Sequence, residues 1–207
     1  MVYSDCIDSV YGMVEKNTTF SSPQATIWRW RQAYQDEMSA RVQWTIHGNY
    51  SAGSHPPVVS VNGSCDSAPL VVDVSPQEVV TMDASGTYDP DQNITGKNPL
   101  RYNWFQYREV SDWAHNINIR VPHLNFTVTN NGSIAQTTLP TAEEACSAVS
   151  ARQNIGAGIQ ETCQEYHVIL EVTGSGTPPI RRYKRVIMRV QPPQNGQGDT
   201  GRERDEL

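Results

Sequence analysis

Two hydrophobic periods divide this chain. From Gln24 to Trp44 large apolar residues recur at helical spacing, with Ile27, Trp30, Tyr34 and Met38 on one stripe and Arg29, Gln32, Asp36 and Glu37 falling away from it. Ser22 suits a cap and Pro23 the first helical position, and no Pro or Gly interrupts the run. The pattern therefore predicts one amphipathic helix whose large side chains contribute roughly 1.5–3 kcal/mol each when buried. A free helix of this length is marginal in water, so it calls for a partner.

After "HGNYSAGSHPP" (47–57), which reads as a linker, the period changes to strict alternation. Strands are predicted at 58–61, 70–74, 79–83, 100–107, 117–121, 124–129, 134–139, 166–173 and 183–190. "TGSGTPP" (173–179) joins the last two as a hairpin. This is the pattern of an antiparallel, immunoglobulin-like β-sandwich. In "RYNWFQY", alternation sets Tyr102, Trp104 and Gln106 on one face and Arg101, Asn103, Phe105 and Tyr107 on the other, with Trp104 expected in the core. The segment 141–163 interrupts the strands with helix-like, then Gly-containing, sequence. Residues 193–207 have a disordered composition.

The 207 residues carry a net charge of −6, with 18% charged and 37% hydrophobic residues, a balance that gives no support to a nucleic-acid partner. The densest basic run, "RRYKR" (181–185), reads as a solvated hairpin face. No window approaches the apolar length of a membrane span. Four cysteines without CxxC or His-paired zinc spacing fit an oxidising compartment. A Cys146–Cys163 disulfide is the favoured pairing. It leaves Cys6 and Cys65 free or tying the N-terminal segment to the sandwich.

Acceptor sequons stand at Asn17, Asn49, Asn62, Asn93, Asn125 and Asn131, six where composition alone would give about two. They point to a secretory route, although "MVYSDCIDSVYG" is not a signal peptide. A missing upstream segment would reconcile the two. The terminal "RDEL" is similar to endoplasmic-reticulum retrieval signals, which makes that lumen the second localisation after secretion.

"QATIWRWRQAYQDEMSARVQWTI", "HPPVVSVNG", "VTMDASGTYDPDQN", "LRYNWFQYRE" and "YHVILEVTGSGTPPIRRYKRVIMRV" follow one another in a distinctive order. Together they resemble the C-terminal part of a secreted cellulose-binding family with a nucleoside-hydrolase-like N-terminal domain and an immunoglobulin-like C-terminal domain. "DASGTYDPD" alone is shared with polycystic-kidney-disease-type modules. The resemblance implies that residues 1–46 are the end of the truncated α/β hydrolase-like domain, 47–57 a linker, 58–192 the sandwich with its insertion at 141–163, and 193–207 a tail. It also implies that the 24–44 helix packs against the absent domain, the alternative being its own sandwich. That domain would hold calcium through an aspartate cluster. Nothing here matches that cluster, and no cofactor is expected in this chain.

The residues themselves give three candidate chemistries. No G-x-S-x-G, H-E-x-x-H or phosphate-cradling glycine loop occurs, so catalysis by this chain alone is not expected. Asp89, Asp91 and Asn93 have the spacing of calcium ligands. However, Ile94 and Leu100 occupy the positions where an EF-hand needs Gly and Glu, which favours a turn. Tyr107, Trp113 and His115 are the candidates for an exposed sugar-stacking platform. The expected function is non-catalytic association with a cellulose-like polysaccharide. The alternatives are a glycosidic or N-ribosyl hydrolase whose catalytic domain lies elsewhere, and a structural accessory sandwich.

Overall fold

The computed structural model describes residues 7–10, 18–21, 24–92, 99–111, 121–147 and 163–192. Strands β1 (Ile7–Val10) and β2 (Thr18–Ser21) form an antiparallel two-stranded ribbon. They are followed by helices α1 (Ala25–Trp28) and α2 (Arg31–Ile46). The seven remaining strands are β3 (Leu70–Val74), β4 (Val79–Asp83), β5 (Arg101–Gln106), β6 (Thr127–Thr129), β7 (Ile134–Thr138), β8 (Glu165–Thr173) and β9 (Arg181–Val190). They build a four-stranded sheet in the order β3-β9-β8-β5 and a three-stranded sheet in the order β4-β7-β6. Every sandwich pairing is antiparallel except β3 with β9, which run parallel. The fold is mainly β, and its strand order is that of an immunoglobulin-like sandwich.

Alternation decides the core. Tyr166, Val168, Leu170 and Val172 of β8 and Val186 and Met188 of β9 are all fully buried between the sheets, against Val80 and Met82 of β4 and Ala135 of β7. Trp104 joins them, buried, and donates its indole N–H to the Gly132 carbonyl at 2.9 Å. Cys146 and Cys163 are disulfide-bonded beside this core, whereas Cys65 is free and exposed. Cys6 lies outside the described residues.

Several strand expectations need correction. Residues 58–61 make only isolated bridges, Val58 with Tyr88 and Val61 with Ser64, because the Asn62–Gly63 turn, both residues at positive φ, ends the segment at once. The strand expected at 124–129 is confined to β6, since the Leu124 N–H is taken by Gln106 Oε1 at 2.9 Å instead of a ladder partner. Of the strand expected at 117–121, only Val121 is described.

The helix departs further from expectation. It breaks at Arg29–Trp30, and apart from Trp30 the apolar stripe is exposed: Ile27, Tyr34 and Met38 are 55%, 48% and 68% exposed. Val42 and Ile46 continue this outward row. The opposite side of α2 meets the sheet. Asp36 pairs with Arg181, Glu37 pairs with Arg182 at 2.8 Å, and Ala40 is fully buried. The reason lies in the break, which sends Trp30 into the outer face of the sheet, onto Phe105, Tyr107 and Tyr183.

The stretch 47–57 is packed onto the sandwich. Ser54 is buried and donates to the Pro178 carbonyl at 2.7 Å. The His55 ring stacks on Tyr50, with centroids 3.7 Å apart, and lies parallel to Trp44. Trp44 in turn donates its indole N–H to the Ser54 carbonyl.

Asp89 and Asp91, the candidate calcium ligands, are buried here and tie distant segments of the chain together. Asp91 accepts from the His55 backbone N–H and meets its Nδ1 at 2.7 Å, while Asp89 accepts from the backbone of Asp91 and Ser175. Of these contacts only the one from the Asp91 N–H to Asp89 is the local turn bond expected from sequence. Among the described residues no group of three or more His, Cys, Asp or Glu could hold a metal ion. Asn93 lies outside them.

Candidate functional site: an aromatic and arginine groove

Register builds the site. On β8 and β9, Glu171 lies opposite Tyr183 and Ile169 opposite Arg185, and β5 sets Phe105 opposite Ile169. Because successive side chains alternate, these residues share the face turned away from the core. Tyr107 follows Phe105 at the end of β5, its N–H bonded to the His167 carbonyl. With α2 laid across this face, a groove of about 380 Å³ opens between helix and sheet. Trp30, Tyr34 and Glu37 form one wall, and Tyr107, Tyr183 and Arg185 the other.

The aromatic rings form a connected set. Trp30 sits edge-on to Tyr183 at 4.9 Å and to Tyr107 at 5.9 Å between centroids. Two guanidinium carbons approach the Tyr107 ring, Arg29 at 5.0 Å and Arg185 at 5.8 Å from its centroid, within cation–π range. Tyr34 stands on the rim, nearly half exposed.

Most charges in the groove are committed to one another. The hydrogen bond from Arg41, joined by Arg182, holds Glu37 below the usual carboxylate range despite partial burial. Burial, and then the adjacent Glu171 carboxylate that accepts its proton at 2.8 Å, push the Tyr183 hydroxyl well above its ordinary value, so it remains a neutral donor. Arg181 is held by Asp36, with Glu171 at 4.0 Å. Arg185 is the exception, having no carboxylate or hydrogen-bond acceptor among the described residues. Its charge reaches His167, whose pKa is lowered by burial and then by Arg185.

The groove thus sets rings that can stack on the C–H faces of a sugar beside guanidinium and carboxylate groups that can bond hydroxyls.

Of the platform residues expected from sequence, Tyr107 lines this groove, while Trp113 and His115 lie outside the described residues. Sequence reasoning passed over Trp30, Tyr183 and Arg185 as site residues. The last two fall in the basic run read as a solvated hairpin face. That reading is corrected for Lys184, which is 3% exposed and donates to Ser64 Oγ, to the Asp66 and Ala68 carbonyls and to Asp66 Oδ1 at 2.8–3.0 Å. The period-two spacing of Arg181, Tyr183 and Arg185 was the available signal, since it places all three on one face. Of the sequons, Asn49, Asn62, Asn125 and Asn131 are exposed, and Asn17 and Asn93 lie outside the described residues.

Residues 79–190, just over half of the chain, match a family model described as "Cellulose-binding protein Sde0182, C-terminal domain". The chain belongs to this family. A solved structure from Saccharophagus degradans, described as a nucleoside hydrolase-related hypothetical protein associated with carbohydrate metabolism, is similar at 25% identity and a TM-score of 0.57. The likeness covers 90% of this chain and 40% of that one, so the chain spans two fifths of its solved neighbour. No curated protein sequence matches. The Sde0182 segment contains β4–β9, and with them Tyr107, Tyr183 and Arg185 of the groove. The wall bearing Trp30 and Tyr34 precedes it.

Proposed function

We propose that this chain is a carbohydrate-binding module that associates with cellulose-like polysaccharide, carries out no catalysis itself, and grips the glycan in the groove between α2 and the β5-β8-β9 face. The observation that carries the reading is the ring set of Trp30, Tyr107 and Tyr183, with Tyr34 on its rim, in a chain whose family is named for cellulose binding. Trp113 and His115 belong to this reading as sugar-stacking candidates on sequence grounds alone. The polar side chains of the groove are tied in pairs and so are held in place before a ligand arrives, which limits the ordering cost of binding.

A pull-down on insoluble cellulose tests this. The wild-type chain is retained, and the Tyr107→Ala/Trp113→Ala double variant, with an unchanged circular dichroism spectrum, is not. Recovery of both proteins in the unbound fraction would remove the reading.

A second reading is supported by the solved neighbour, which is described as nucleoside hydrolase-related and is much longer than this chain. In it, a hydrolase-like domain cleaving glycosidic or N-ribosyl bonds, with its own calcium, works beside this module and packs on the outward apolar row of α2. Hydrolysis of nucleoside or glycoside substrates by the longer protein, lost on calcium chelation, distinguishes it from a purely structural accessory sandwich.

A polysaccharide ligand and the six sequons support an extracellular location, with the endoplasmic reticulum as the second site through "RDEL". No helix among the described residues is long and apolar enough to cross a membrane. A mobility shift on deglycosylation of the chain secreted from eukaryotic cells tests the modification. Absence of the shift at all six asparagines would refute it.

A further inference from the structure

The charge pattern of the groove says more about its ligand than its aromatic content does. Arg181 and Arg182 are neutralised by Asp36 and Glu37 across the helix–sheet contact. Glu171 is engaged by the Tyr183 hydroxyl and faces Arg181. Arg185 alone among the lining arginines is left with its guanidinium over the Tyr107 ring and no anion beside it among the described residues. Every carboxylate near the groove is already matched, so the site presents an uncompensated positive charge on an aromatic bed, in a chain whose net charge is −6.

A neutral glucan can accept a hydrogen bond from Arg185 but cannot neutralise its charge. It offers hydroxyls, which any of the paired polar groups could meet. A guanidinium presents its N–H donors in a planar fork that matches a carboxylate with two parallel bonds, and stacking on a ring leaves its edge free for them. We propose that the groove takes an acidic glycan, with the ring of a uronate residue against Trp30 and Tyr107 and its carboxylate received by Arg185. This rests on the carbohydrate-binding reading above and moves the preferred ligand of the same groove from a neutral, cellulose-like glycan to a carboxylated one.

Affinity electrophoresis of the 207-residue chain in native gels tests it, with polygalacturonate as the acidic polymer and hydroxyethyl cellulose as the neutral one. Wild type is retarded more strongly by polygalacturonate. The preference shrinks as ionic strength rises from about 0.01 M to about 0.15 M, where the screening length falls from about 30 Å to about 8 Å. Arg185→Gln, which keeps most of the side-chain volume, weakens binding to polygalacturonate about tenfold, the scale of one charge-assisted pair. It weakens hydroxyethyl cellulose binding less than polygalacturonate binding, because the neutral polymer loses a hydrogen-bond donor but no charge pair. Arg189→Gln removes an equal charge from the same strand outside the groove and has no effect.

Three results overturn the proposal. Equal retardation by both polymers with no response to Arg185→Gln defeats the acidic preference while leaving carbohydrate binding intact. Equal weakening by Arg185→Gln and Arg189→Gln reduces the effect to bulk charge. Retardation by neither polymer removes this inference and the carbohydrate reading together.

Discussion

Trp30→Ala should release α2 from the sandwich without unfolding the sandwich. In the structure Trp30 makes ring contacts with Phe105, Tyr107 and Tyr183, at centroid distances of 6.2, 5.9 and 4.9 Å. At about 1 kcal/mol for each aromatic pair, their loss costs about 3 kcal/mol, within the range for Trp→Ala truncations. What remains is the two ion pairs Asp36–Arg181 and Glu37–Arg182, the buried Ala40, and Trp44 against Ser54 and His55 near the C-terminal end of the helix. A 16-residue helix has little stability of its own. The opening equilibrium of α2 should therefore shift by about two orders of magnitude, since every 1.4 kcal/mol is tenfold.

Hydrogen–deuterium exchange read by mass spectrometry resolves the segments. Amides of 31–46 should exchange about a hundredfold faster in the variant, while those of β8 and β9 keep wild-type protection. Trp30→Phe, which retains a ring, should fall between. Unchanged protection of 31–46, or equal loss across helix and sheet, would show that Trp30 is not what docks the helix.

Other perturbations have separate readouts. Replacing Cys146 and Cys163 together by Ser opens a loop of sequence separation 17 and should lower the unfolding free energy by about 3 kcal/mol, measured by urea titration, with no change under reducing agent. Gly176→Ala should destabilise by about 1–3 kcal/mol, seen as a lower melting temperature, because the new Cβ would collide with Ser54 Oγ and stand 2.9 Å from Asp91 Oδ2. His167 is held below its ordinary pKa of about 6.5 by burial and then by Arg185, so between its folded value and about 6.5 the unfolded chain binds more protons. Stability should therefore fall as pH drops through that window. The urea midpoint of wild type should decline more steeply below about pH 6.5 than that of His167→Gln, and parallel slopes would rule the histidine out.

The sandwich was legible because one face of each long strand is dry. Val186 to Val190 alternate in burial as they do in sequence, Tyr166 to Thr173 are buried on both faces, and Trp104 occupies the core position that its strand assigns. The helix was legible as a helix but not in its orientation. Hydrophobic periodicity reports which side could be buried, whereas α2 docks through Asp36 and Glu37, whose partners lie 145 residues away at Arg181 and Arg182. No local pattern carries that information. The same holds for the site. Tyr107 could be chosen from the end of its strand, but Trp30 joins it only through the break at Arg29–Trp30, and Arg185 gains meaning only once neighbouring charges are seen to be matched. The stretch 47–57 reads as a linker from its Gly, Ser and Pro content, and its packing partners, Pro178 for Ser54 and Asp91 for His55, lie too far along the chain for that composition to announce them.

The parallel pairing of β3 with β9 has a mechanical consequence. Leu70 to Val74 run alongside Val186 to Val190 in the same direction, the first strand of the sandwich against the last. Tension that draws the chain backwards from β3 and forwards from β9 slides the two strands past each other. It therefore loads all their hydrogen bonds together in shear, where an antiparallel pair pulled from one end would unzip bond by bond. A chain pulled from both ends of the sandwich meets that load, and this clasp lets it resist pulling better than its thermodynamic stability alone would suggest.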